Sequence, residues 1–114
     1  MLRRSLLPLL LLAGCSKGPA ADLQYISGAR SLAGEWALVN EQASEGHLTP
    51  AYVKTMHQDV RQQLQTNARS LTEPKSDYGS EIAALLREPD DAPPGALRAH
   101  ASKLKQIEDR LESD

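Results

Sequence analysis

Residues 22–43, DLQYISGARSLAGEWALVNEQA, decide the fold class of this 114-residue chain. Their apolar side chains recur at alternating steps of four and three, which is the spacing of one face of an α-helix. The members of this stripe are Tyr25, Ala29, Leu32, Trp36, Val39 and Ala43. We place Asp22 at the N-cap of this first helix and Gly46 at its C-terminal stop.

A second helix follows, and Thr49-Pro50 is a strong start signal for it. A hydroxyl at the N-cap precedes a proline at the first helical position. The apolar residues then keep to one face for about five turns; they are Val53, Met56, Val60, Leu64, Ala68 and Leu71. The opposite face is expected to be solvated, and it carries Asp59, Arg61, Gln62 and Gln65.

Two further helices complete the predicted architecture. Ser76 or Asp77 can cap a short third helix, which Pro89 ends. Residues 90–95 read as a turn, and the fourth helix behind it has an inner stripe of Leu97, His100, Leu104, Ile107 and Leu111. No run alternates with period two for long enough to predict a strand. The fold class is therefore all-α, a small bundle of three to four helices preceded by a cleaved signal peptide.

The composition excludes several classes of function. Hydrophobic residues make up 40% and charged residues 25% of the chain, which is typical of one small globular domain. The formal net charge of -2 gives no electrostatic reason to expect nucleic acid. The single cysteine rules out an internal disulfide framework and a cysteine-rich zinc module.

Residues 1–14 have the three parts of a secretory signal peptide. Arg3 and Arg4 form the basic part, and an apolar run from Leu6 to Leu12 precedes two small residues. That run is far shorter than the roughly 20 residues that a membrane-spanning helix needs. An uncleaved membrane anchor or a buried helix is the alternative interpretation.

The segment ends in Leu12-Ala13-Gly14-Cys15, which resembles the lipobox of bacterial lipoproteins. The chain's one cysteine stands where that motif requires it. The resemblance implies a thioether-linked diacylglycerol on Cys15, cleavage between Gly14 and Cys15, and N-acylation of Cys15. It covers the signal and the anchor alone, and no family is recognised for the mature domain. A chance cysteine behind an ordinary signal peptide is the alternative.

The predicted organisation is a signal peptide at 1–14, a lipidated N-terminus and short tether at 15–21, and a helical domain at 22–114. Cleavage would remove Arg3 and Arg4 and leave 11 basic against 15 acidic residues, a formal net charge of -4. Such a domain is repelled by anionic headgroups, so the lipid would have to hold it at the membrane.

The residue after the cysteine bears on location. The lipoprotein resemblance implies that Ser16, unlike an aspartate there, sends the protein to the outer membrane of a Gram-negative cell. The domain would then sit on the inner leaflet and face the periplasm. In a Gram-positive cell the same signal would place it on the outer face of the cell membrane.

Catalytic and metal motifs are not found. His47, His57 and His100 lack metal-site spacing, and His57 and His100 are expected at the boundary of the core. There is no Gly-x-Ser-x-Gly elbow, and an acylated Cys15 leaves no free thiol nucleophile. We expect no metal, and no cofactor beyond the covalent lipid.

The aromatic residues give one candidate contact. Trp36 lies within its stripe and is expected in the core, whereas Tyr52 in the first turn of helix two is the surface candidate for a partner contact.

We expect a non-catalytic interaction or adaptor module that binds membrane lipid through Cys15 and an envelope protein, with its oligomeric state open. A structural spacer is the alternative, disfavoured by prolines that break a continuous coil. A small-ligand carrier or enzyme is a further alternative.

Overall fold

The computed structural model describes residues 18–113, so the predicted signal peptide and the predicted sites at Gly14 and Cys15 lie outside the described residues. The described part contains four helices and no strand: α1 (Pro19–Ser44), α2 (Pro50–Ser70), α3 (Asp77–Leu86) and α4 (Pro94–Glu112). The predicted all-α fold class is confirmed. No helix between residues 18 and 113 is long and apolar enough to cross a membrane.

The start of α1 differs from the prediction. The helix begins at Pro19 with Gly18 at the N-cap, so the placement of Asp22 at the N-cap is wrong. Proline suits the first helical position because its φ is already set for a helix. The Gly18 N–H also donates to the Thr72 hydroxyl at 2.9 Å, which fixes the chain in front of α1. Residues 19–21 of the predicted tether are therefore helical.

Three other predicted boundary signals are confirmed, while two boundaries differ: α2 ends at Ser70, before Leu71 of the predicted stripe, and α4 begins at Pro94, inside the predicted turn. Gly46 follows the end of α1 with a φ of 77°, a left-handed conformation that favours glycine. The Thr49 side chain accepts a hydrogen bond from the Tyr52 backbone N–H at 3.2 Å. Of the two candidate caps for α3, Ser76 takes the role, since its hydroxyl accepts from the Gly79 N–H at 3.1 Å.

The central element is α1, which packs against both α4 and α2, while α3 packs against α4 and α2 at their edges. Every helix contributes apolar side chains to one core, because helices of this length are marginal in water unless an apolar face is buried. The largest fully buried apolar side chains are Trp36, Tyr78, Ile26, Leu64, Ile82, Leu85, Leu97, Leu104 and Val60.

The directions of the helices show which loops lie at the same end of the bundle. Asp22 near the start of α1 contacts Thr72 just beyond α2, while Asn40 near the end of α1 contacts His57. Hence α1 and α2 are antiparallel, and residues 44–50 and 87–93 lie at the end of the bundle remote from Pro19. We call this the distal end. At 1.5 Å per residue, the 26 residues of α1 separate it from Pro19 by about 39 Å.

Candidate functional site

The distal end carries an open groove between α1, α2 and the α3–α4 loop. It consists of two adjoining cavities of about 310 and 530 Å³ that share Ala43, Val53 and His57 as walls. The remaining lining residues are Asn40, Ser44, Asp91, Ala92 and Pro94 on one side, and Leu48, Pro50, Lys54 and Asp90 on the other. We call this the distal groove. A mostly apolar lining with a few polar groups is suited to binding a ligand segment.

One wall of the groove is residues 87–93, which we call the loop wall. Two side chains of α1 hold it. The Trp36 indole donates from Nε1 to the Asp90 carbonyl oxygen at 2.9 Å. The Asn40 amide donates to the carbonyl oxygens of Asp90 and Ala92, both at 2.9 Å. Trp36 is only 1% exposed and Asn40 8%, so these bonds satisfy loop carbonyls that would otherwise be poorly hydrated.

Arg61 holds the loop wall from α2. Its guanidinium lies over the Trp36 ring, 4.8 Å from the ring centroid. Its Nε donates to Asp90 Oδ1 at 2.5 Å, and its two terminal nitrogens donate to the carbonyl oxygens of Leu86 and Glu88. Arginine suits this position because its planar fork combines stacking with several directed hydrogen bonds.

The contacts of Arg61 correct a prediction. Its placement on the solvated face of α2 is wrong, since the side chain crosses Trp36 to reach the loop wall. The three other residues assigned to that face, Asp59, Gln62 and Gln65, are exposed as predicted. A long side chain at the edge of a stripe can cover apolar surface with its stem and still reach a distant partner with its head.

His57 closes the polar network of the groove. Its Nε2 lies 2.7 Å from the Asn40 Oδ1 atom. The amide orientation of Asn40 is set by the two carbonyls that its Nδ2 faces, and Oδ1 can only accept. The proton of this bond is therefore on His57 Nε2. His57 is half-buried, as the sequence predicts for a boundary histidine.

His100 belongs to a separate cluster next to the groove. Its Nδ1 lies 2.5 Å from Glu81 Oε2 on α3, and its Nε2 lies 2.7 Å from Glu88 Oε2 in the loop wall. Burial lowers the pKa of His100, but the hydrogen bonds and charges of the two carboxylates outweigh it and raise the pKa above its ordinary value. We call Glu81, His100 and Glu88 the histidine clamp. His100 is half-buried, as predicted, and its ring nitrogens face the two glutamates and not His57.

A second buried carboxylate stabilises the opposite end of the bundle. Asp22 accepts hydrogen bonds from the Tyr78 hydroxyl at 2.6 Å, from the Thr72 N–H and hydroxyl, and from the Glu73 N–H. Burial raises the pKa of the Asp22 carboxyl, but these bonds outweigh it and hold the pKa below its ordinary value. Burial and the Asp22 carboxylate also raise the pKa of Tyr78 to about 12. Asp22 thus anchors the α2–α3 loop to α1.

The predicted partner contact, Tyr52, has half of its surface exposed, as expected for a surface residue. It is next to Val53 in the chain but does not line the distal groove. Trp36 is in the core, as predicted. Between residues 18 and 113, no group of three or more histidine, cysteine, aspartate or glutamate side chains is arranged to hold a metal ion.

The described fold and groove define a class of protein, a small all-α domain with an open groove at one end. Comparison with protein-family models, with curated proteins and with solved structures finds no match for this chain.

Proposed function

We propose that this protein is a lipid-anchored adaptor of the cell envelope. An acylated Cys15 would hold it on a membrane, and its helical domain would dock a segment of another envelope protein in the distal groove. The observation that carries this proposal is the groove, whose loop wall is fixed by hydrogen bonds from Trp36, Asn40 and Arg61. The membrane would be the outer membrane of a Gram-negative cell, with the domain in the periplasm, or the outer face of a Gram-positive cell membrane.

The position of the groove supports this proposal. Cys15 is three residues before Gly18, a stretch of chain that spans at most about 11 Å. The distal groove lies about 39 Å beyond the start of α1. A lipid on Cys15 would therefore leave the groove accessible away from the anchor, and the cleaved N-terminus would be too short to fill it. The occupant that we propose is therefore a segment of another protein.

The lining of the groove supports one kind of occupant. Ala43, Leu48 and Val53 offer an apolar surface for an apolar side chain. Asp91 lines one cavity and Lys54 the other, and neither forms an ion pair with any residue from 18 to 113. The complementary segment has an apolar side chain between a basic residue, which would face Asp91, and an acidic residue, which would face Lys54. A short amphipathic helix meets this requirement.

A charge in the groove tests the docking proposal. Val53→Arg should abolish retention of the partner in a mild-detergent pull-down, because it puts a cation on the apolar floor. Gln63→Arg is the matched control, since residue 63 is exposed on the same helix. Circular dichroism of both variants checks the fold. Docking in the groove is refuted if Val53→Arg retains the same protein as the wild type, or if both variants lose it equally.

The anchor is tested separately. Cys15→Ser should move the protein from the membrane to the soluble fraction, because the thioether cannot form on serine. Ser16→Ala, next in the chain, should leave it in the membrane fraction. Tight membrane association of the Cys15→Ser protein would show that the lipid anchor is wrong, whatever the groove binds.

A further inference from the structure

The histidine clamp joins three elements and includes one residue of the loop wall, Glu88. Glu81 lies on α3, Glu88 in the loop wall, and His100 on α4. The side chains of His100 and Glu81 are only 16% and 13% exposed. Since each ring nitrogen faces a carboxylate, His100 can donate to both glutamates only as an imidazolium. A neutral ring has one N–H, so deprotonation would leave one half-buried carboxylate without its donor.

Several charged groups near the clamp have other partners. From α2, Arg61 reaches the backbone carbonyl of Glu88 and not its carboxylate. From α1, Arg30 and Glu41 face α4 and are paired with Glu108 and Arg98. On α3, Asp77 is paired with Arg110. Lys103 of α4 lines a surface cavity together with Glu81. The two groups bonded directly to the His100 ring are Glu81 and Glu88.

We propose that the histidine clamp is a proton-dependent latch on the distal groove: a charged His100 holds the loop wall to α3 and α4, and a neutral His100 loosens it. The direction follows from the two carboxylates, which keep His100 charged to a higher pH than an ordinary histidine. The groove is then fully formed below the ordinary histidine pKa of 6.5 and loosens as the pH rises through the raised pKa of His100. This regulation rests on the proposed function only for its effect on a partner.

The chain contains its own probe for the latch. Trp36 is the only tryptophan, and its indole donates to the loop wall at Asp90. The Ala92 N–H is bonded to the Pro89 carbonyl within the same loop at 3.0 Å. Tryptophan fluorescence and the hydrogen-exchange protection of Ala92 therefore report on the loop wall without any partner.

The experiment titrates the full-length protein in mild detergent from about pH 5 to pH 9. The wild type should show one fluorescence transition with a midpoint above 6.5, the ordinary pKa of histidine. Across it the protection factor of Ala92 should fall about tenfold, as loss of a hydrogen bond to a charged group predicts. Glu81→Gln should move the midpoint to lower pH, because one of the two stabilising carboxylates is gone.

His100→Gln should abolish the transition, whereas the control His47→Gln, at an exposed histidine that does not line the groove, should retain it. If circular dichroism shows that His100→Gln is unfolded, Glu81→Gln and Glu88→Gln test the latch instead. Each should move the midpoint of the fluorescence transition to lower pH. The latch is overturned by a flat wild-type titration, by a transition that survives His100→Gln, or by midpoints that the glutamate variants leave unchanged. None of these outcomes depends on the anchor or on a partner, so the adaptor proposal would stand or fall separately.

Discussion

Trp36 in the core and Asp90 in the loop wall are joined by a hydrogen bond of 2.9 Å, although 54 residues separate them in the sequence. Arg61 strengthens the link, because it stacks on the Trp36 ring and donates to the Asp90 carboxylate. The indole N–H of Trp36 thus holds the loop wall of the groove, while the rest of the ring packs in the core. Changes to this link should therefore alter both stability and the shape of the groove.

Trp36→Phe removes the indole donor and part of the surface on which Arg61 stacks. The free energy of unfolding should fall by about 1–3 kcal/mol, from one lost hydrogen bond and a weaker cation–π contact. Urea denaturation followed by circular dichroism measures it. Tyr52→Phe is the matched control at an exposed aromatic residue and should change stability by less than about 0.5 kcal/mol. Equal losses in both variants would contradict the role given to Trp36.

Arg61→Gln and Arg98→Gln compare two arginines of different surroundings. Arg61 makes three directed contacts and a stack, with its side chain 26% exposed, whereas Arg98 forms one ion pair and is 49% exposed. We expect a loss of about 2 kcal/mol at Arg61 and no more than about 1 kcal/mol at Arg98. Thermal unfolding of both variants measures the two losses. A larger loss of stability for Arg98→Gln than for Arg61→Gln would refute the loop-wall role of Arg61.

Gly79→Ala should lower the free energy of unfolding, whereas Gly34→Ala should raise it. A Cβ at Gly79 would lie 2.2 Å from the Pro74 carbonyl oxygen, so the backbone would have to move. We expect a loss of at least about 2 kcal/mol there. At Gly34 a Cβ meets no atom within 4 Å, and alanine should stabilise α1 by about 1 kcal/mol. Urea midpoints that shift in the same direction for both variants would contradict the packing.

Asp22→Asn should remove part of the acid sensitivity of folding. The folded-state pKa of Asp22 is below its ordinary value of 3.8, so its carboxylate stabilises the fold above that value. This stabilisation is lost as the pH falls from about 3.8 through the lower folded-state pKa. The variant should be less stable than the wild type at pH 7, by about 2–4 kcal/mol, and the gap should narrow at pH 3. A gap that widens on acidification would be inconsistent with a carboxylate acceptor.

Local patterns predict most of the helical framework. The caps at Thr49 and Ser76 and the stop at Gly46 depend on neighbouring residues alone, so the sequence identifies them. The stripe of α2 includes Val53, which the structure leaves half-buried in the groove. Periodicity places such a residue on the apolar face of the helix, but it does not show whether another helix covers that position.

The polar connections of the site are not local, and this is why the sequence does not reveal them. Arg61 and Asp90 are 29 residues apart, and His100 meets Glu81 and Glu88 over 19 and 12 residues. No helical spacing relates these pairs. Asn40 gives the one usable signal, since it lies four residues after Trp36 on the same face of α1 and is therefore a polar residue at a buried position.

The central claim is that the distal groove docks a segment of another envelope protein, and cross-linking in living cells tests it most directly. A photo-reactive residue would replace Leu48 in the groove or, as a control, Gln63 on the exposed face of α2. The account predicts one discrete protein adduct from position 48 and none from position 63. It also predicts an apolar residue between a basic and an acidic one in the cross-linked segment, and a weaker adduct in Asp91→Lys. No protein adduct from position 48, or equal adducts from both positions, would contradict the claim.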